Sequence, residues 1–170
     1  ILVLSPMYKG PLGVDSLNRR LGAKLNPDGG AAPWSRELRS GDRVMAVRND
    51  YDREVFNGDA GEVLAVEKDH LLVDFGAEPQ IYKPGQISDL IPAWCVTVHR
   101  AQGSEARAVV VVLARSHYLM LKRNLLYTAI TRGKELVVVV TDPWALQQAV
   151  RDNSVKDRHC HLEKRLKDAV

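Results

Sequence analysis

The chain has 170 residues, of which 45% are hydrophobic and 26% are charged, and its formal net charge is +3. This is an ordinary globular composition, and the length allows one medium-sized domain or two small ones. Its longest apolar runs are only strand-sized, which excludes a membrane-spanning helix, and a mildly basic charge permits nucleic acid as a partner without indicating it.

The first predicted elements form a β-loop-α unit. Residues 1–4 are apolar and end at a Ser-Pro pair, which predicts a strand, and a Gly-containing turn at 9–13 leads into a predicted helix from 14 to about 25. Residues 26–33 are rich in Pro, Gly and Asn and mark a boundary. Because the chain begins inside an apolar run without Met, we expect it to be a fragment of a longer protein.

Short strands follow at close spacing up to about residue 91. Predicted strands at 43–48, 60–67 and 71–75 are separated by turn signals, which indicates a small antiparallel barrel. Some of its side chains allow two interpretations: contact with nucleic acid, by stacking or by charge, or packing and solvation. These side chains are Trp34, Tyr51, Phe56, Arg48, Arg53 and Lys68.

After residue 92 the pattern returns to alternating strands and helices. The predicted strands are 95–98, 109–113 and 136–140, the predicted helices are 123–132 and 143–151, and 99–105 is compatible with a helix. The strands at 109–113 and 136–140 are apolar throughout, which is typical of parallel strands buried on both faces. The barrel is therefore predicted to interrupt one α/β domain.

The C-terminal tail is polar and charged. Leu162, Leu166 and Val170 recur at four-residue intervals, which is compatible with a terminal helix or with a frayed end. We predict no metal site at residues 159–161 (His-Cys-His), because adjacent residues do not easily converge on one ion. The two cysteines of the chain lack the density of a disulfide scaffold, which favours a reducing, cytoplasmic compartment.

Polar residues gather where the predicted strand 95–98 ends. Ligand sites in α/β folds lie at the carboxyl ends of parallel strands. Thr97 and His99 can donate to phosphate or sugar, Gly103 lets the backbone approach a phosphate, and Glu105 can accept from a ribose hydroxyl. A capped turn between strand and helix is the purely structural alternative.

An arginine, Arg132, ends the predicted helix 123–132, and Gly133 follows as a C-cap. The helix macrodipole favours a cation at this end, which by itself explains the arginine. The functional alternative is an arginine finger, which neutralises charge on a transferring γ-phosphoryl group bound by a neighbouring domain. On the same helix, Tyr127 is either a core aromatic or a rim residue.

Residues 97–105 and 124–134, in this order and separated by one apolar strand, resemble the fifth and sixth motifs of superfamily 1 helicases. Residues 4–18 (LSPMYKGPLGVDSLN) are similar to the segment that opens the second motor domain of RecD-type helicases, a 5′-to-3′ branch. Residues 41–45 and 57–61 are similar to the SH3-like barrel inserted in that domain. The resemblance covers nearly the whole chain.

The resemblance implies a RecA-like α/β domain with a parallel sheet and an inserted small antiparallel SH3-like β-barrel. The implied motor domain comprises residues 1–34 and 92–152, the barrel 35–91 and the tail 153–170. The implied activity is that of an ATP-dependent 5′-to-3′ DNA helicase, with ATP and Mg²⁺ bound mainly by a first motor domain. The chain contains no G-x-x-x-x-G-K-[ST] phosphate loop, so we expect it to be inactive in isolation.

The resemblance also implies roles for individual residues and partners. Arg132 is the implied finger. The residues implied to face the nucleotide or its phosphates are Gly103, Glu105, Gln102 and Lys9. The residues implied to bind the strand are Thr97, His99, Ser104 and Arg48. The implied partners are single-stranded DNA, the first RecA-like domain of the same protein and, through the barrel, other proteins.

Two other hypotheses stay open from the sequence. One is a stand-alone module that binds a strand or a protein, which the missing phosphate loop favours. The other is a motor with the same motifs and a different substrate, either the helicase part of a conjugative relaxase or an RNA-directed motor. A relaxase needs a histidine cluster and a catalytic tyrosine outside this stretch.

Overall fold

The fold consists of two β-sheets and three α-helices in a computed structural model that describes residues 1–35 and 38–154. Two 3-10 helices, Pro84–Asp89 and Arg115–Met120, lie in the connections. The elements in chain order are β1 (Leu2–Ser5), α1 (Val14–Leu25), β2 (Arg43–Ala46), β3 (Ala60–Val66), β4 (Leu71–Asp74), β5 (Gln80–Tyr82), β6 (Leu90–Pro92), β7 (Cys95–Thr97), β8 (Ala106–Leu113), α2 (Arg123–Ile130), β9 (Gly133–Thr141) and α3 (Pro143–Arg151).

The first sheet is parallel and has the strand order β7-β1-β8-β9. On one face, Val14 and Leu17 of α1 pack against Cys95 and Val112. On the other face, α2 and α3 cover the side chains of β1, β7 and β8. Burial raises the pKa of the Cys95 thiol to about 12, so this cysteine is a core residue and not a reactive one.

The prediction that residues 136–140 are buried on both faces is wrong. In β9, Leu136, Val138 and Val140 are 56%, 41% and 53% exposed. β9 is the edge strand, and α1 lies over the opposite half of the sheet, against β7. Within the described ranges, no helix therefore covers this side of β9. The neighbouring β8 is central in the sheet, and its residues Val109–Leu113 are largely buried as predicted.

The second sheet is antiparallel, with the strand order β5-β4-β3-β2-β6. β2, β3 and β4 match predicted strands, whereas β5 and β6 were missed because each has only three residues. A register shift between Val63 and Ala65 bends β3 against β4. The sheet curls around its own core of Leu38, Val44, Val63, Leu71, Val73, Tyr82, Ile87 and Leu90.

Two asparagines, one within α1 and one at its C-terminal end, hold the chain where it enters and leaves the barrel. At the entry, the amide of Asn26 donates to the carbonyl of Ser40 and to Asp42 Oδ1, both at 2.8 Å. At the exit, the amide of Asn18 donates to the carbonyls of Pro92 and Cys95, and the backbone N–H of Cys95 donates to Asn18 Oδ1. The domain boundaries given above stay predictions.

The remaining predictions concern the C-terminal tail, a membrane-spanning helix and a metal site. The tail with Leu162, Leu166 and Val170 and the residues 159–161 lie outside the described residues. In the described part of the chain, no helix has the length and apolar character needed to span a membrane, and no group of three or more metal-ligating side chains is found.

Candidate nucleotide and strand site

The loops after β1 and β7 lie side by side because the two strands are parallel neighbours, with Ser5 opposite Thr97. The Ser5 hydroxyl donates to the carbonyl of Leu12 at 2.8 Å and closes the loop between β1 and α1. At Gly13, a Cβ atom would clash with the carbonyl oxygens of Tyr8 and Lys9. Glycine is therefore required there, and the loop has a fixed shape.

The loop after β7 is a series of hydrogen-bonded turns and not the helix that the sequence allows. The backbone N–H of Arg100 donates to Thr97 Oγ1 at 3.2 Å, and that of Gln102 donates to the carbonyl of His99. Gly103 has φ +88°, a left-handed conformation that ends any helix and favours glycine. The structural alternative of a capped turn is thus partly right, since Thr97 caps the turn.

A cavity of about 660 Å³ lies between this loop and the barrel. Thr97, His99 and Gln102 line it from the parallel sheet, and Asn57 and Gly58 line it from the barrel. Thr97 is buried, while His99 and Gln102 are exposed. The structure therefore brings two predicted strand-binding residues, Thr97 and His99, together at one opening.

Two residues of the same cavity were not singled out from the sequence. The Nε–H of Arg100 donates to the hydroxyl of Tyr8 at 2.6 Å, and both side chains line the cavity. The pair connects the loop after β1 with the loop after β7. Each residue lies inside a motif, but they are 92 positions apart, so only the parallel pairing of the strands brings them together.

Arg132 is held against the loop after β7 by its guanidinium. Its Nε–H donates to the carbonyl of Thr128 at 3.2 Å, its Nη1 donates to the carbonyl of Ser104 at 3.3 Å, and its Nη2 donates to Thr131 Oγ1. The backbone N–H of Ala106 also donates to the carbonyl of Arg132. The two motifs therefore form one hydrogen-bonded unit.

All three acceptors of Arg132 are neutral. The structure gives Arg132 no ion pair with any described residue. The nearby carboxylate, Glu105, pairs instead with Lys134 at 3.0 Å, and this hydrogen-bonded ammonium lowers the pKa of Glu105. The positive charge of Arg132 thus stays available for an anion.

The remaining predicted site residues do not all join this cluster. Ser104 contributes its carbonyl to Arg132, as described, and Gln102 and Gly103 lie on the same loop. Lys9 is exposed on the loop after β1 and makes no side-chain hydrogen bond within the described ranges. Arg48 is exposed and pairs with Asp89 at 3.4 Å, although its neighbour Val47 lines the cavity.

The other candidates separate into exposed and structural residues. Tyr51 and Phe56 form an edge-to-face pair at 5.9 Å and are exposed, so Phe56 is not confined to the core. Arg53 pairs with Asp50 and lies 4.8 Å from the ring of Tyr82, which makes it a structural residue of the barrel. On α2, Tyr127 is 65% exposed and is not a core aromatic.

Solved structures with a similar fold include Pif1 helicases. The chain aligns with a Bacteroides Pif1 helicase in complex with ADP-AlF3 and ssDNA at a TM-score of 0.58 and 18% identity, over 98% of this chain and 44% of that one. It aligns with the Candida albicans Pif1 helicase at a TM-score of 0.56 and 19% identity, over 99% and 50%. The fold is that of a RecA-like helicase domain with an SH3-like insert, as predicted.

Family models and curated relatives define the family more closely. The model of the UvrD-like helicase C-terminal domain matches residues 92–140, and that of the ATP-dependent RecD-like DNA helicase SH3 domain matches residues 17–75. The ATP-dependent RecD2 DNA helicase of Deinococcus radiodurans is 46% identical over 136 residues, 79% of this chain and 19% of that protein. The chain belongs to the RecD-type helicases.

Further relatives are named as RecD subunits of the RecBCD enzyme. Those of Mycobacterium tuberculosis H37Rv and Mycolicibacterium smegmatis are 35% and 33% identical over 86% and 95% of this chain. The chain spans 26% and 28% of their lengths. The match is thus to one region of much longer proteins.

Proposed function

We propose that this chain is the second motor half of an ATP-dependent 5′-to-3′ DNA helicase. It binds single-stranded DNA and supplies an arginine finger to ATP held by a first motor domain of the same protein. The observation that carries the proposal is the contact between the guanidinium of Arg132 and the carbonyl of Ser104 on the loop that also carries Thr97 and His99. A nucleotide contact and a strand contact are then joined through one hydrogen bond.

The strand is proposed to lie in the cavity between the loop after β7 and the barrel. His99 is exposed there and can donate to a phosphodiester oxygen, and Thr97 fixes the turn that presents it. Asn57 and Gly58 provide the opposite wall. Ser104 and Arg48 are assigned weaker roles, since neither side chain lines this cavity.

The nucleotide is proposed to approach Arg132 from a domain that carries the missing phosphate loop. Arg132 is partly exposed and has no ion-pair partner among the described residues, which fits contact with the γ-phosphate of ATP. The ATP would be bound together with Mg²⁺, mainly by the first motor domain. Gly103 and Glu105 are the further candidates on this side, and Gln102, on the same loop, also lines the strand cavity. No contact supports Lys9, which stays a candidate only by its place in the loop after β1.

ATP binding is proposed to draw the two motor domains together and hydrolysis to release them. On closure, Arg132 exchanges the Ser104 carbonyl for the γ-phosphate, which frees the loop after β7 to move along the strand. Rate effects of such fingers are about 10³-fold or more in related nucleotide hydrolases. Because some relatives are named as subunits of a larger enzyme, a protein partner at the barrel is a further proposal.

The test of strand binding uses the full-length protein that carries this chain. His99→Ala is expected to weaken binding to a dT oligonucleotide and to remove the stimulation of ATPase by the strand, while unstimulated ATPase survives. The matched control is His70→Ala, a histidine of the barrel that pairs with Asp69 outside the cavity. Equal effects of both variants, or no effect of His99→Ala, contradict the proposed strand path.

A further inference from the structure

A second cavity, of about 540 Å³, shares a wall with the strand cavity. His99, Gln102 and Met120 line both cavities. The second cavity extends from this wall between the 3-10 helix Arg115–Met120 and the first turns of α2. Most of its lining residues come from the segments 97–105 and 124–134, but none of the roles proposed above uses this space.

The second cavity has a mixed lining with a continuous apolar part. Val98 and Leu125 are buried side chains of the parallel-sheet core, and Leu119 on the 3-10 helix is 64% exposed. With Met120, these side chains form an apolar, polarizable surface of the kind that contacts flat ring systems.

The polar side chains of the cavity are those of His99, Gln102, Lys122, Asn124 and Thr128, and some of their groups are already hydrogen-bonded. The hydroxyl of Thr128 donates to the carbonyl of Asn124, and Asn124 Oδ1 accepts from the N–H of Leu125, both at 2.8 Å. The ammonium of Lys122 donates to the carbonyl of Ser154. The amide nitrogens of Asn124 and Gln102 have no partner among the residues that the structure describes, so they can donate to acceptors brought by a ligand.

We propose that the second cavity receives a nucleobase of the single strand whose phosphates contact His99. This inference rests on the proposed function. The shared wall selects this occupant, because a base is attached to the same nucleotide whose phosphate lies in the neighbouring cavity. Apolar side chains beside two free amide donors suit a base, whose ring faces are apolar and whose edges carry acceptors. Cavities of roughly 300–1,000 Å³ are the usual size of small-molecule sites.

The test compares an intact strand with a strand that lacks bases. Binding of a dT oligonucleotide and of an abasic oligonucleotide of equal length is measured by fluorescence anisotropy with the full-length protein. The variant is Leu119→Ser, whose side chain is exposed, so that the fold is retained. The matched control is Tyr118→Ser, the adjacent residue, which is 60% exposed and does not line the cavity.

The base site predicts that Leu119→Ser weakens binding of the dT strand about fivefold and leaves binding of the abasic strand unchanged, while Tyr118→Ser changes neither. If Leu119→Ser weakens binding of both strands equally, or of neither, the proposed base site is wrong, whereas the proposed phosphate contacts are not affected. Failure of the unmodified protein to bind either strand contradicts the proposed function itself.

Free nucleotides are the second possible source of a base. Thymidine monophosphate or adenosine monophosphate is therefore added as a competitor at concentrations well below those that screen charge. No displacement of the dT strand is expected, since a single base lacks the phosphate contacts of the neighbouring cavity. Displacement that Leu119→Ser abolishes assigns the cavity to a mononucleotide and overturns the proposal.

Discussion

Substitution of Asn18 should uncouple the parallel sheet from the chain that returns from the barrel. Its amide donates to the carbonyls of Pro92 at 3.1 Å and Cys95 at 2.9 Å, and its Oδ1 accepts from the Cys95 N–H at 2.7 Å. Each such bond contributes about 1 kcal/mol net, so Asn18→Ala should lower the free energy of unfolding by about 3 kcal/mol. This is a large fraction of the stability of a small domain.

A second variant at the same position separates hydrogen bonding from packing. Asn18→Asp keeps the acceptor for Cys95 but turns the donor into a carboxylate oxygen that faces two carbonyl oxygens. It should therefore cost more than Asn18→Ala, in spite of its nearly identical shape.

The assay is equilibrium urea unfolding of the chain, followed by circular dichroism. The control is Arg19→Ala, at the next position of α1, where the side chain is exposed and makes no hydrogen bond within the described ranges. It should change the stability by less than about 0.5 kcal/mol. A loss below this value for Asn18→Ala, or a milder effect of Asn18→Asp, would refute the reasoning.

Three further predictions concern pH, backbone shape and activity. Burial lowers the pKa of His117, and its Nδ1 accepts a hydrogen bond from the N–H of Ala114. Because the neutral imidazole is favoured in the folded state, the free energy of unfolding should fall as the pH drops through about 6.5 and below. His117→Gln should reduce this pH dependence, measured by urea unfolding at several pH values. Gly13→Ala should destabilise the loop after β1 by about 1 kcal/mol or more, measured in the same assay, because the new Cβ meets two carbonyl oxygens. The isolated chain should show no strand-stimulated phosphate release, since it has no phosphate loop; turnover above background would contradict the half-site account.

Local sequence patterns were sufficient to predict the helices α1 and α3, whose start and end are marked by nearby residues. The helices α1 and α3, at Val14–Leu25 and Pro143–Arg151, match the predicted ranges 14 to about 25 and 143–151. The order of the motifs around an inserted barrel also identified the fold and the family. The loop at residues 99–105 differs because Gly103 adopts a positive φ, which helical compatibility does not reveal.

Tertiary neighbours decide the features that the sequence missed. An apolar run such as 136–140 has the same pattern whether one or both faces are covered, and only the position of α1 leaves Val138 and Val140 exposed. The strands β5 and β6 are too short to show a period.

The candidate site likewise combines residues that local patterns identify with contacts that depend on tertiary structure. Its residues could be named from the motifs, but their connections could not. The bond between Arg132 and the Ser104 carbonyl spans 28 positions, and that between Arg100 and Tyr8 spans 92. Such pairs follow from which strands are neighbours in the sheet, and that order is not encoded in any local pattern.

The most direct test of the central claim is ATP turnover by the full-length protein with Arg132→Ala, measured with saturating single-stranded DNA beside nucleotide and strand binding. The control is Arg107→Ala, an arginine of β8 that pairs with Glu135. If Arg132 is a finger, its loss should lower turnover by about 10³-fold or more, Arg132→Lys should restore little, and both kinds of binding should largely survive. Unchanged turnover would make Arg132 a helix-end cation and contradict the motor account.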